Sequence, residues 1–63
     1  MQEGTVKFFN ESKGFGFITV QNTGNEVFVH TSNLVEDIKE GDRVSFNIEQ
    51  GQKGPMATGV KRI

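Results

Sequence analysis

Flat rings are the side chains of this sequence that could do chemistry. Phe15 and Phe17 alternate with Gly14 and Gly16 in Lys13-Gly14-Phe15-Gly16-Phe17-Ile18, and Phe28 alternates with His30 in Val27-Phe28-Val29-His30. Successive side chains of an extended strand point to opposite faces, so each stretch puts its rings on one face and its aliphatics on the other. A ring left exposed can stack on another flat group, and every nucleobase has such a face. Covalent chemistry finds less support. His30 is the only histidine and there is no cysteine, so no metal site or thiolate nucleophile can be assembled around it, and no nucleophile is paired with the imidazole. The sequence predicts a protein that is not an enzyme and uses no metal or cofactor.

Which face is wet follows from what must be buried. Ile18, Val20, Val27 and Val29 are the natural inward set, because β-branched side chains suit a pleated, half-buried surface. Phe15, Phe17, Phe28 and His30 then turn outward together. Each Phe taken singly belongs in a core. Burying these three, however, would expose Ile18, Val27 and Val29. A contiguous patch of exposed rings marks an interaction surface.

The elements that must carry these residues are short strands. Thr5 to Asn10 reads as a first strand, Asn10-Glu11-Ser12-Lys13 as a turn, Lys13 to Val20 as a second strand and Glu26 to His30 as a third, an antiparallel meander. Thr31-Ser32-Asn33 offers a cap for a single helical turn before Leu34-Val35. A fourth strand, Arg43 to Glu49, alternates strictly, with Val44, Phe46 and Ile48 inside and Arg43, Ser45 and Asn47 outside. Residues 50–55 read as a loop and Met56 to Arg62 as a fifth strand, whose parity groups Val60 with Thr58 and Met56 and leaves its facing open. Five strands without a real helix predict an all-β barrel. The expected core is Val6, Ile18, Val20, Val27, Val29, Leu34, Ile38, Val44, Phe46, Ile48 and Val60, with Phe9 beside it.

Bulk properties narrow the function further. Sixty-three residues predict one domain spanning 1–63, with stability at or below about 5 kcal/mol and a gain on binding ligand. A net charge of −1 and a pI near 5.7 argue against a duplex-DNA or heparin binder, which would show a basic footprint. Binding to a polyanion must lean on stacking instead. The N-terminus has no secretion signal and no apolar run approaches the roughly 20 residues of a membrane span, so a soluble cytoplasmic protein without membrane contact is expected. Asn10-Glu11-Ser12 formally matches a glycosylation sequon but reads as a turn.

The run at 13–20 follows the aromatic signature of the RNA-recognition motif, with Ile18 and Val20 as departures, yet that fold needs two helices this chain cannot supply. With KGFGFI at 13–18, VFVH at 27–30, Lys7-Phe8-Phe9-Asn10, His30-Thr31-Ser32 and Gly54-Pro55, the sequence resembles over its whole length the bacterial cold-shock domain, a five-stranded antiparallel OB-fold barrel. The resemblance implies a monomer that binds single-stranded RNA and DNA on the outer face of strands one to three, with no preference for duplex. It implies low sequence selectivity and the work of an RNA chaperone that opposes secondary structure. Bases would stack on Phe15, Phe17, Phe28 and His30, with Phe8 a fifth platform, and Lys7, Lys13 and Lys53 would lie near phosphates. Two or three phosphate contacts correspond to a single-strand salt slope of about −1.4 to −2.1.

Three positions depart from the family pattern. Phe8 stands where Trp is common, Thr31 where an aromatic is usual, and the segment Val35 to Gly41 is short and carries no ring. Phe8 also conflicts with Val6, since strict alternation puts both on one face; a bulge or sharp coiling must separate them, or one assignment fails. The competing reading is an SH3-like barrel gripping a proline-rich peptide, although such grooves use Tyr and Trp and this chain has neither.

Overall fold

The computed structural model describes residues 1–51 and 54–63. Alternation is most regular in β2, Phe15–Val20, where Gly16, Ile18 and Val20 are buried and Phe15, Phe17 and Thr19 are half-buried. β1 (Gln2–Asn10) precedes it and β3 (Glu26–His30) follows, and the three form the expected antiparallel meander. Asn10 fixes the first turn: its side-chain oxygen accepts the Lys13 N–H at 3.1 Å and its carbonyl accepts the Gly14 N–H at 2.8 Å. A 3-10 turn at Thr31–Asn33 leads to β4 (Arg43–Gly51) and β5 (Gly54–Arg62). Residues 50–51 and 54–55, expected as loop, belong to these two strands, with Gln50 opposite Pro55 and Gly51 opposite Gly54. Among the described residues no helix is long and apolar enough to cross a membrane.

The strands close into a barrel in the order β1-β2-β3-β5-β4. Four seams are antiparallel, as expected, while β3 and β5 run parallel through Phe28 opposite Met56 and Val29 opposite Ala57. The parallel seam follows from arithmetic: a ring with an odd number of strands cannot alternate direction at every junction.

Two irregularities set the facing of side chains. On β1, Val6 pairs with Ile18 but Phe8 pairs with Phe17, so two residues of β1 are matched by one step of β2. The inserted residue is a bulge, and it turns the strand by one face. Val6 is 1% exposed in the core and Phe8 is 36% exposed outside, so both sequence assignments hold. On β5, Ser45 pairs with Lys61 and Asn47 with Thr58, which leaves the extra residue on β5. Gly59 lies there with φ of 59°, a left-handed conformation that suits glycine. Ala57 and Val60, three residues apart, therefore both point inward and are fully buried.

The core is Val6, Ile18, Val20, Val27, Val29, Ile38, Val44, Phe46, Ala57 and Val60, with Phe9 and Leu34 packed partly against it. Ile38, from the segment between the 3-10 turn and β4, is buried in this core. Two expectations for β4 need correction. Ile48 has the inward parity but is 40% exposed, because it lines an open cleft of about 390 Å³ with Val20, Val27 and Pro55. Ser45, expected outside, is buried: its short side chain is flanked in register by the longer Glu3 and Lys61.

Candidate nucleic-acid interface

The outer face of β1–β3 gathers rings in two rows. Across the strands Phe8 pairs with Phe17 and Phe17 with Phe28; one row along, Asn10 pairs with Phe15 and Phe15 with His30. Residues directly opposite share a face, so the register alone brings these side chains together. Phe8 and Phe17 have ring centroids 5.5 Å apart, Phe17 and Phe28 6.0 Å, and Phe15 and Phe28 5.9 Å with planes only 26° apart. Phe8 also meets Phe15 edge-on at 6.4 Å, and His30 lies 6.5 Å from Phe28. All five separations fall in the range of favourable aromatic pairs. The rings thus support one another, leaving Phe15, Phe17 and Phe28 half-buried and Phe8 and His30 exposed. The face is apolar, contiguous and pre-arranged, because each Phe is held by its neighbours rather than left free to rotate.

The Phe8 bulge makes this possible. Without the inserted residue, Phe8 would follow Val6 inward and the upper row would begin at Phe17. Just past the bulge, opposite Phe9, stands buried Gly16, where a Cβ would come within 2.8 Å of the Phe9 Cα and closer still to the Phe8 carbonyl oxygen. Only glycine allows β1 to approach this closely. Phe9 takes the remaining place, half-buried against the core.

His30 has a structural task that sequence reasoning missed. Its Nδ1 accepts the Ser32 backbone N–H at 3.1 Å, so the imidazole itself caps the 3-10 turn, and Ser32 Oγ lies 2.9 Å from the same nitrogen. The residues expected to cap, Thr31 to Asn33, form the turn instead. Accepting at Nδ1 places the proton of the neutral ring on Nε2. It also fixes the plane of the ring on the outer face.

The expected lysines are not equivalent. Lys7, in the bulge, reaches across β2 to Glu26 at the start of β3, with Nζ 2.6 Å from Oε2. Glu26 was not foreseen as part of the face; its partner lies nineteen residues away, beyond the reach of any local pattern. Lys13 is exposed in the turn before β2. Lys53 lies outside the described residues. Among the described residues no three His, Asp, Glu or Cys side chains come together in a way that could hold a metal ion.

Comparison with known proteins identifies the family and supports the fold. Residues 2–63 match the family described as the 'Cold-shock' DNA-binding domain. The chain is 54% identical over 61 residues to the cold shock protein CspV of Vibrio cholerae, covering 90% of this chain and 87% of that protein. It is 52% identical over 67 residues to the cold shock protein of Arthrobacter globiformis, covering both completely. A solved structure of drosophila Unr CSD456 superposes with a TM-score of 0.80 over 98% of this chain and 26% of that one; at 23% identity it speaks for the fold alone. A closed five-stranded barrel, the KGFGFI and VFVH runs on adjacent strands, and a match from residue 2 to residue 63 make this chain a member of the cold-shock family of nucleic-acid-binding domains.

Proposed function

We propose that the protein binds single-stranded RNA and DNA on the outer face of β1–β3, with little sequence selectivity, and works as an RNA chaperone. The observation that carries the reading is the net of five rings, Phe8, Phe15, Phe17, Phe28 and His30, held at aromatic contact distances on the surface of a protein with net charge −1. A base stacked on such a ring contributes about 1–3 kcal/mol whatever its identity. Four or five platforms, less the costs of association and ordering, correspond to submicromolar to micromolar binding. A duplex hides the faces of its bases and offers such a surface nothing to stack. Captured single strands cannot re-pair, which opposes RNA hairpins without any chemistry. Lys13 and Lys53 serve phosphates directly, and Lys7 does so in competition with Glu26. The protein acts as a monomer in the cytoplasm.

Titration of a labelled oligothymidine tests this, with a matched duplex as control and Phe15→Ala and Phe28→Ala as variants. Single-strand binding that both variants weaken supports the proposal. Equal affinity for single strand and duplex, or variants that bind like the parent, overturns it. Opening of a fluorophore- and quencher-labelled RNA hairpin by the parent tests the chaperone activity.

A further inference from the structure

The upper row of rings does not end where the meander ends. Phe8 stands opposite Phe17, Phe17 opposite Phe28, and Phe28 opposite Met56 across the parallel seam, so one line of paired positions crosses four strands. We propose, resting on the single-strand reading above, that Met56 is a fourth platform of this row and takes a nucleobase against its thioether.

Facing is settled by the neighbouring pair. Val29 and Ala57, one residue on in each strand, are opposite each other and both fully buried. Phe28 and Met56 therefore share the outer face. Met56 is half-buried, and a Cβ added to Gly51 of β4 would stand 2.8 Å from its sulfur. The absent side chain at Gly51 lets the thioether lie low over the β4 backbone instead of standing away from the wall. A polarizable, apolar side chain one strand beyond Phe28 thus extends the row of paired positions in the same direction.

The chemistry suits a base. Sulfur is polarizable and makes favourable contacts with π systems, and an unbranched side chain adapts to rings of different size. A lone half-buried Met would need no explanation, but this one stands in register with Phe28 on the same face. The expected contribution is smaller than that of a ring.

The chain has two methionines, Met1 and Met56. Protein labelled with [13C]methyl-methionine thus has two methyl resonances, and Met56→Ala assigns them. On titration with oligothymidine the Met56 methyl is expected to move upfield, through the ring current of the stacked base, while Met1, 77% exposed at the terminus, stays put. Met56→Ala is expected to weaken binding about two- to tenfold. If the Phe15 and Phe28 ring resonances shift while the Met56 methyl does not, the fourth platform is disproved and the single-strand reading survives. If no resonance moves, both fail. The methyl measurement uses the parent protein, so it stands even if the alanine variant folds poorly.

Discussion

Val6 and Phe8 lie two residues apart in one strand and face opposite sides of the barrel wall. Ordinary alternation forbids this, and the single residue inserted between the Val6–Ile18 and Phe8–Phe17 pairs permits it. One irregularity thereby gives the core a valine and the surface a phenylalanine.

The close approach of Gly16 to the Phe8–Phe9 backbone makes that irregularity testable. Gly16→Ala must push β1 off β2, an overpacking expected to cost about 1–3 kcal/mol. The urea midpoint should fall and oligothymidine binding should weaken with it, because Phe8 is displaced from Phe17. A variant with parental stability and affinity would mean that the bulge yields easily.

Phe28 and Phe46 should separate binding from stability. Phe46 is fully buried, so Phe46→Ala is expected to cost about 3–5 kcal/mol, most of what a domain of this size possesses. Circular dichroism should show it largely unfolded at 25 °C. Phe28→Ala should stay folded, with a much smaller shift in urea midpoint, and lose about 1–3 kcal/mol of binding. Equal losses of stability in the two variants would contradict the division between core and face.

Glu26 holds Lys7 in an exposed ion pair, and a phosphate must displace that carboxylate. Such pairs are worth at most about 1 kcal/mol, so Glu26→Gln is expected to tighten oligothymidine binding up to about fivefold at low salt. The slope of log K against log salt should steepen by up to about 0.7, the signature of one more phosphate contact. Unchanged slopes would show that Lys7 takes no part.

Acid should weaken the protein through Glu36. Hydrogen bonds from the Arg62 side chain, at 3.0 Å, and from its backbone N–H, at 3.2 Å, hold the Glu36 carboxyl below its ordinary value of 4.5. Folding thus favours the ionised form, a contribution complete above pH 4.5 and lost as pH falls through the lowered value. Melting temperatures of Glu36→Gln should lie slightly below those of the parent at pH 7. The gap should close in acid, and a constant gap would point to a contact other than the ion pair.

Much of this was legible in the chain because β2 and β3 alternate without a break. From Phe15 to Val20 and from Glu26 to His30 parity alone separates wall from face, and the structure follows it at every residue. Legibility fails where register slips. Nothing in the residue type of Lys7 announces an insertion, and only the contradiction between Val6 and Phe8 pointed to one. Gly59 was the available clue on β5, since a glycine inside a strand often marks a bulge. Ile48 was misjudged for a different reason: parity reports direction but not whether anything covers the side chain, and Ile48 lines an open cleft. The imidazole cap at His30 is local, two residues from Ser32, but an aromatic acceptor there is not among the usual capping side chains, while the Lys7–Glu26 pair depends on a distance across the fold that no spacing encodes.

The odd number of strands has a further consequence. It leaves the wall one parallel junction, and that junction is also short, with β3 and β5 matched at two positions only, so breathing of the barrel should start there, with fast amide exchange as its mark. A nucleotide chain laid over Phe28 and Met56 would straddle that junction like a clasp. Occupancy and breathing of the cylinder would then be one equilibrium, in which cargo steadies the parallel seam that an odd strand count requires.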